Sequence, residues 1–262
     1  MTGPADFETI RYETSSDRVA TITLNRPEVL NAFDRQMCEE VRAAWRLVKD
    51  DPEVNAVVLR AEGDRAFCAG LDTKSSYGQP DDIWNHEDPG ELLSPKWQKV
   101  WKPVVCAVQG ICTAGAMYFL NESDVVICSS DATFFDSHVT YGMVSALEPV
   151  GMMRRIGLAH TLRMALSGND ERVTAATALQ IGLVTEVVDR PVLWERAHEI
   201  AAGIAAKPSA ATQGTVRAIW DSLDRPYRAA MEQGLIYTRV GNPIGMAEVA
   251  ENPPTRTEPR LR

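Results

Sequence analysis

The alternating pattern of Val19–Leu24 (VATITL) predicts a strand, and a shorter strand-like stretch at 9–12 precedes it. Pro27, in NRPEVLNAF, breaks that alternation. The period then becomes helical over 34–50, with Met37, Val41, Trp45 and Val48 on one face, Asp34 at the N-cap and Asp51-Pro52 as the stop. Near-continuous apolar runs at 54–61, 104–108 (VVCAV) and 124–128 (DVVIC) predict strands covered on both faces. An apolar helix over 113–121 separates the last two. Strand and helix alternating from 54 to 130 imply crossover connections and a mainly parallel sheet, an α/β fold.

Residues 75–95 (SSYGQPDDIWNHEDPGELLSP) are rich in Pro, Gly and acids and predict a long loop that can cover a site. Beyond Arg154 the pattern is helical, with candidate helices at 159–166, 174–180 (stopped at Gly182), 193–206, 209–223 and 226–240, then a polar tail at 252–262. The expected division is a core domain over 1–190 and a helical region over 191–262. Apolar residues at 164–168 and 229–240 exceed what one small domain covers, which points to oligomerisation.

Composition narrows the function. The 262 residues carry 27 basic and 36 acidic side chains, a net charge of −9 that excludes a general nucleic-acid binder. No apolar run approaches the roughly 18–20 residues needed to cross a bilayer. Residues 1–8 are polar with two acids, unlike a secretory signal, so a cytoplasmic protein is expected. Cys38, Cys68, Cys106, Cys112 and Cys128 form no C-x-x-C pair and sit partly in apolar runs, which predicts buried reduced thiols. The four histidines are scattered rather than set at metal-ligand spacing.

Two glycine-containing turns follow predicted strands: AFCAGLD at 66–72 and QGICTAGAMYFL at 109–120. Neither is G-x-G-x-x-G or a phosphate loop. Glycine lets a main-chain N–H approach a ligand closely, and amides from both turns can hold a developing oxyanion. Closing a strand–helix turn is the competing role for the same glycines.

LNRPEVLNAF, AFCAGLD, PVVCAVQGICTAGAMYFLNESDVVICSSDATF and ALQIGLVTEVV, in that order over about 19–188, resemble the crotonase (enoyl-CoA hydratase/isomerase) superfamily. The resemblance implies a spiral of strand–strand–helix turns with a helical C-terminal third, and a homotrimer or dimer of trimers. It implies an acyl-CoA thioester substrate, with coenzyme A as part of the substrate and no tightly bound cofactor. The oxyanion amides would be those of Leu71 and Gly115. Coenzyme A would pass Arg26–Leu30 and 66–69, touching Arg26, Leu30, Ala66, Ala69 and Asp72. Arg26, Arg60 and Arg65 are candidate phosphate partners.

The catalytic positions depart from the family's. Its hydratases use two glutamates, and those positions fall here on Tyr118 and His138. Histidine titrates near neutrality and suits general base work. Asp136, two residues earlier, would share a face with His138 in an extended segment and support its charged form. Glu148 is a further candidate, although SALEP also predicts a helix start with Ser145 as cap and Glu148 at the third helical position. Trp84 and His86 are candidate covers for the substrate. The chemistry expected is alkene hydration or isomerisation through a thioester enolate. C–C hydrolysis of the β-diketone type, decarboxylation, acyl-CoA binding without catalysis, or a purely structural subunit are the alternatives.

Overall fold

The computed structural model describes residues 7–75, 84, 88–251, 253 and 258–260. Ten strands and eight helices are present among them. The chain begins with β1 (Ile10–Thr14) and β2 (Val19–Leu24), an antiparallel pair, followed by α1 (Arg35–Asp50). Next come β3 (Ala56–Ala61), β4 (Ala66–Cys68) and the single turn α2 (Gly90–Leu93). Two similar units follow: β5 (Val104–Val108), β6 (Ile111–Thr113) and α3 (Met117–Asn121), then β7 (Val125–Ser129), β8 (Thr133–Phe135) and α4 (Leu147–Ser167). The remainder is β9 (Val173–Thr174), α5 (Ala175–Gln180), β10 (Glu186–Val188), α6 (Leu193–Ala205), α7 (Ser209–Ser222) and α8 (Tyr227–Glu251).

The strands form a six-stranded sheet, β1-β2-β3-β5-β7-β10, and a four-stranded sheet, β4-β6-β8-β9. From β2 to β10 the large sheet is parallel, as are β4, β6 and β8 in the small one. Each turn of the spiral lays one strand in each sheet. Alternation along β3 explains the two-sided burial: Val57 and Leu59 face α1 through Val41, Trp45 and Val48, whereas Ala56 and Val58 face Leu193, Ala197 and Ala201 of α6. α6 therefore packs directly on the sheet, and α7 and α8 pair beyond it.

Three expectations change. The helix predicted over 113–121 is a strand to Thr113, a 3₁₀ turn at Ala114–Ala116 and one turn of α-helix, because Ala114 takes φ +50° at that corner. The helix predicted from 159 begins at Leu147 and bends at Gly157, whose φ of +72° interrupts the helical backbone. α8, expected over 226–240, runs on through Pro243 to Glu251. All five cysteines are buried and none is in a disulfide, and burial pushes the Cys68 thiol up to about 12. Among the described residues no helix is long and apolar enough to cross a membrane.

Asp34 begins α1 as the sequence indicates: Met37 N–H donates to its Oδ1 at 2.8 Å. Asp34→Ala is expected to lower stability by about 1 kcal/mol, read as a lower urea midpoint at unchanged slope.

Candidate active site

The loop after β2 is built to hold the loop after β4. Leu30 and Asn31 both take left-handed φ, +58° and +53°. This turns Leu30 C=O to accept from Ala69 N–H at 3.0 Å, while Asn31 Nδ2 donates to the carbonyls of Glu62 and Ala66. Phe33 then pairs with Leu71 in an isolated parallel bridge: Phe33 N–H donates to Gly70 C=O and Asp72 N–H to Phe33 C=O, both at 2.9 Å. In that pattern the bridging residue's own amide, that of Leu71, points away from Phe33.

Gly115 is the second residue of the 3₁₀ turn at Ala114–Ala116, where a first-turn amide has no partner within the turn. Gly70 sits against it. A methyl group built on Gly70 would lie 3.3 Å from Gly115 N, and one built on Gly115 would lie 3.7 Å from Gly70 Cα. The two glycine turns, distant in sequence, are thus in contact, with the Leu71 and Gly115 amides at their junction. Leu71 is exposed and Gly115 buried, so the junction opens to solvent on one side.

Tyr118 follows Gly115 by three residues, about one helical turn. Its hydroxyl donates to Asp88 Oδ2. Burial, the bond to Asp88 and the charge of Glu148 all push the phenol far above its ordinary value.

After β8 stands a chain of polar groups. Asp136 is fully buried; its Oδ1 meets His138 Nδ1 at 2.6 Å and accepts from His138 N–H at 3.0 Å, and its Oδ2 accepts from Ser145 Oγ. His138 Nε2 lies 3.7 Å from Glu148 Oε1. The bond to Asp136 raises the imidazole above its ordinary value against the pull of burial, and Glu148 adds to the rise. Burial pushes the Asp136 carboxyl upward, but the donors from His138 and Ser145 hold it below the usual range. Burial raises Glu148, the hydrogen bond from its own amide and the His138 charge oppose that rise, and Asp136 and Asp88 reinforce it. Glu148 therefore lies electrically between the Tyr118–Asp88 and His138–Asp136 pairs.

Several candidate residues stand differently from their sequence reading. Asp136 and His138 do not share a strand face: β8 ends at Phe135 and His138 opens a 3₁₀ turn, so the carboxylate reaches back to the imidazole across a tight bend. Ser145 does not cap α4, whose cap position is Ala146, because its hydroxyl is spent on Asp136; Glu148 becomes the second helical residue, its carboxylate accepting from its own first-turn amide. Arg26 is held by Asp34 at 3.2 Å, Asp72 at 3.1 Å and Ala32 C=O at 2.6 Å, so Arg26 and Asp72 lock the 26–34 turn onto the Leu71 loop. Arg60 projects with Ala56 and Val58 toward α6, where its guanidinium lies 4.0 Å over the Trp194 ring. Of the three arginines, Arg65 alone is exposed, beside buried Ala66. Trp84 is largely exposed, and His86 lies outside the described residues. Asp88 was missed because an acid in an acidic loop has no periodic signature.

The enoyl-CoA hydratase/isomerase family pattern matches residues 14–239, and the chain belongs to that family. It is 30% identical over 227 residues to the (E)-benzylidenesuccinyl-CoA hydratase of Thauera aromatica, covering 86% of each chain. It is 29% identical over 197 residues to the 1,2-epoxyphenylacetyl-CoA isomerase of Escherichia coli K12, covering 73% of this chain and 74% of that one. A solved enoyl-CoA hydratase/isomerase from Mycobacterium paratuberculosis superposes with a TM-score of 0.85 at 37% identity, covering 94% of each chain.

Proposed function

We propose that this family member acts on α,β-unsaturated acyl-CoA thioesters, holding the thioester oxygen with the Leu71 and Gly115 amides and moving a proton through the His138–Glu148 pair. The observation that carries the reading is the contact between the Gly70 and Gly115 turns, together with the Asp136–His138–Glu148 chain, whose two carboxylates are buried. Two main-chain donors aimed at one oxygen stabilise negative charge there without reorganisation. Asp136 fixes Nδ1 as the donating nitrogen and leaves Nε2 toward Glu148, so the pair has one mobile proton to give or take. The hydratase and isomerase names of the relatives support reaction at a CoA thioester. Coenzyme A would run past Leu30, Ala66 and Ala69, with Arg65 the available phosphate partner. The exposed apolar side chains of α4 (Leu158, Leu162, Leu166) and α8 (Met231, Leu235, Ile236) support self-association.

The test is hydration of crotonyl-CoA across pH, beside a β-keto acyl-CoA. Glu148 must be ionised to accept a proton, and burial raises it, so kcat/KM is expected to fall on the acid side at a pH above the free carboxylate's. His138→Gln removes the cation that opposes the rise. The acid limb then moves to higher pH, and the rate falls by about 10²–10⁴-fold. An unmoved limb, or cleavage of the β-keto thioester without hydration, would overturn this reading.

A further inference from the structure

Asp88 lies outside the acid–base chain described above, yet both of its oxygens are occupied. Oδ2 accepts from Tyr118 Oη, and Oδ1 accepts from Gly90 N–H at 3.3 Å. Glu91 N–H also closes on Asp88 C=O at 3.1 Å, fixing the residue at the head of α2. The Tyr118 ring is packed directly on Gly90: a methyl group there would fall 2.2 Å from ring carbon Cε2, so only glycine leaves room. Ser94 Oγ bridges the carbonyls of Gly90 and Tyr118 at 3.2 and 3.4 Å. Phenol and carboxylate are therefore locked together rather than meeting by chance at a surface.

A phenol has one proton, and a carboxylate only accepts. With that proton committed to Asp88, the oxygen of Tyr118 has only lone pairs left to present to the site. We propose that Asp88 is a positioning residue that sets the polarity of Tyr118, making its oxygen the acceptor that orients an attacking water. The inference rests on the hydration reading given above.

A water that donates one hydrogen to Tyr118 Oη and the other to Glu148 turns a lone pair toward the substrate. Its oxygen bonds to the β carbon, and the alkene pair moves onto the thioester oxygen as an enolate. The proton on the Glu148 side passes to that carboxylate. The enolate then collapses and takes the same proton at the α carbon. One water is added across the double bond, and every protein group returns to its starting state.

The experiment compares wild-type protein, Asp88→Asn, Asp88→Glu and Tyr118→Phe in two assays. One is hydration of crotonyl-CoA. The other is exchange of α-hydrogens of butyryl-CoA in deuterated water, which needs the enolate but no attacking water. An asparagine amide donates to Oη and turns the phenol proton into the site, while phenylalanine removes the acceptor altogether. The ratio of hydration to exchange is expected to fall at least tenfold in Asp88→Asn and Tyr118→Phe, in kcat more than in KM, with partial recovery in Asp88→Glu. An unchanged ratio in folded variants, including equal loss of both activities, would reduce Asp88 to a prop for the turn and overturn the proposal. If Asp88→Asn does not fold, Tyr118→Phe, which keeps the ring on Gly90, decides it. Wild-type protein that neither hydrates nor exchanges would overturn the function reading and this inference with it. Wild-type exchange with an unaltered ratio in the variants removes this inference alone.

Discussion

Gly70→Ala is expected to lower kcat/KM for an enoyl-CoA thioester by about 10²–10³-fold, the size of effect that follows loss of one oxyanion donor. Gly70 has φ +86°, a conformation that costs a residue bearing a Cβ about 1–2 kcal/mol. The new methyl would also stand 3.2 Å from Ala114 Cβ and Thr113 O and 3.3 Å from Gly115 N. Relief of these contacts shifts the turn that carries the Leu71 amide or the one that carries the Gly115 amide, and the proposed mechanism needs both amides on one oxygen. Gly115→Ala attacks the junction from the other side, driving a methyl to 2.6 Å from Cζ of the buried Phe33 ring. Since Phe33 bridges Leu71, displacing that ring transmits the fault to the first amide. Both variants keep the two sheets, so far-ultraviolet circular dichroism is expected to stay native while turnover is lost. A folded Gly70→Ala protein with wild-type kcat/KM would remove the oxyanion hole from the mechanism.

The large sheet was legible because its strands announce themselves. Val54–Ala61, VVCAV and DVVIC are apolar on both faces, and both faces are indeed covered, one by α1 and one by α6. The small sheet was not, because β4, β6 and β8 are three residues each, too short for any period to register. Their pairing is a tertiary fact: Cys68 aligns with Cys112, and Cys112 with Phe134. The same limit hid the bond that orients His138. Spacing alone suggested a strand face, whereas a bend at Ser137 brings Nδ1 to Asp136 and frees Ser145 from the helix start. Arg60 shows the converse. It reads as an available cation until the alternation along β3 turns it toward Trp194.

Asp136→Asn separates orientation from charge in the same site. The asparagine side chain is close in shape, but it does not make the charge-assisted hydrogen bond that raises His138 and fixes Nδ1 as the donor, and it carries no negative charge. The imidazole pKa returns toward its ordinary value, its tautomer is no longer imposed, and kcat is expected to fall by about 10²–10⁴-fold, within the range of acid–base contributions. Stability carries an independent signature. The folded Asp136 value is depressed, so its contribution is present above the unfolded carboxyl value of about 3.9 and lost as pH falls through the folded one. The folded His138 value is raised, so its contribution is complete below the unfolded imidazole value of about 6.5 and lost as pH rises through the folded one. The stability difference between wild type and Asp136→Asn is therefore expected to be greatest between about pH 4 and 6.5 and to shrink on either side. Urea midpoints at three pH values spanning that window would check it. A difference that grows steadily toward alkaline pH would mean that Asp136 stabilises the fold by some other contact, and that the His138 pair is not the charged unit the mechanism requires.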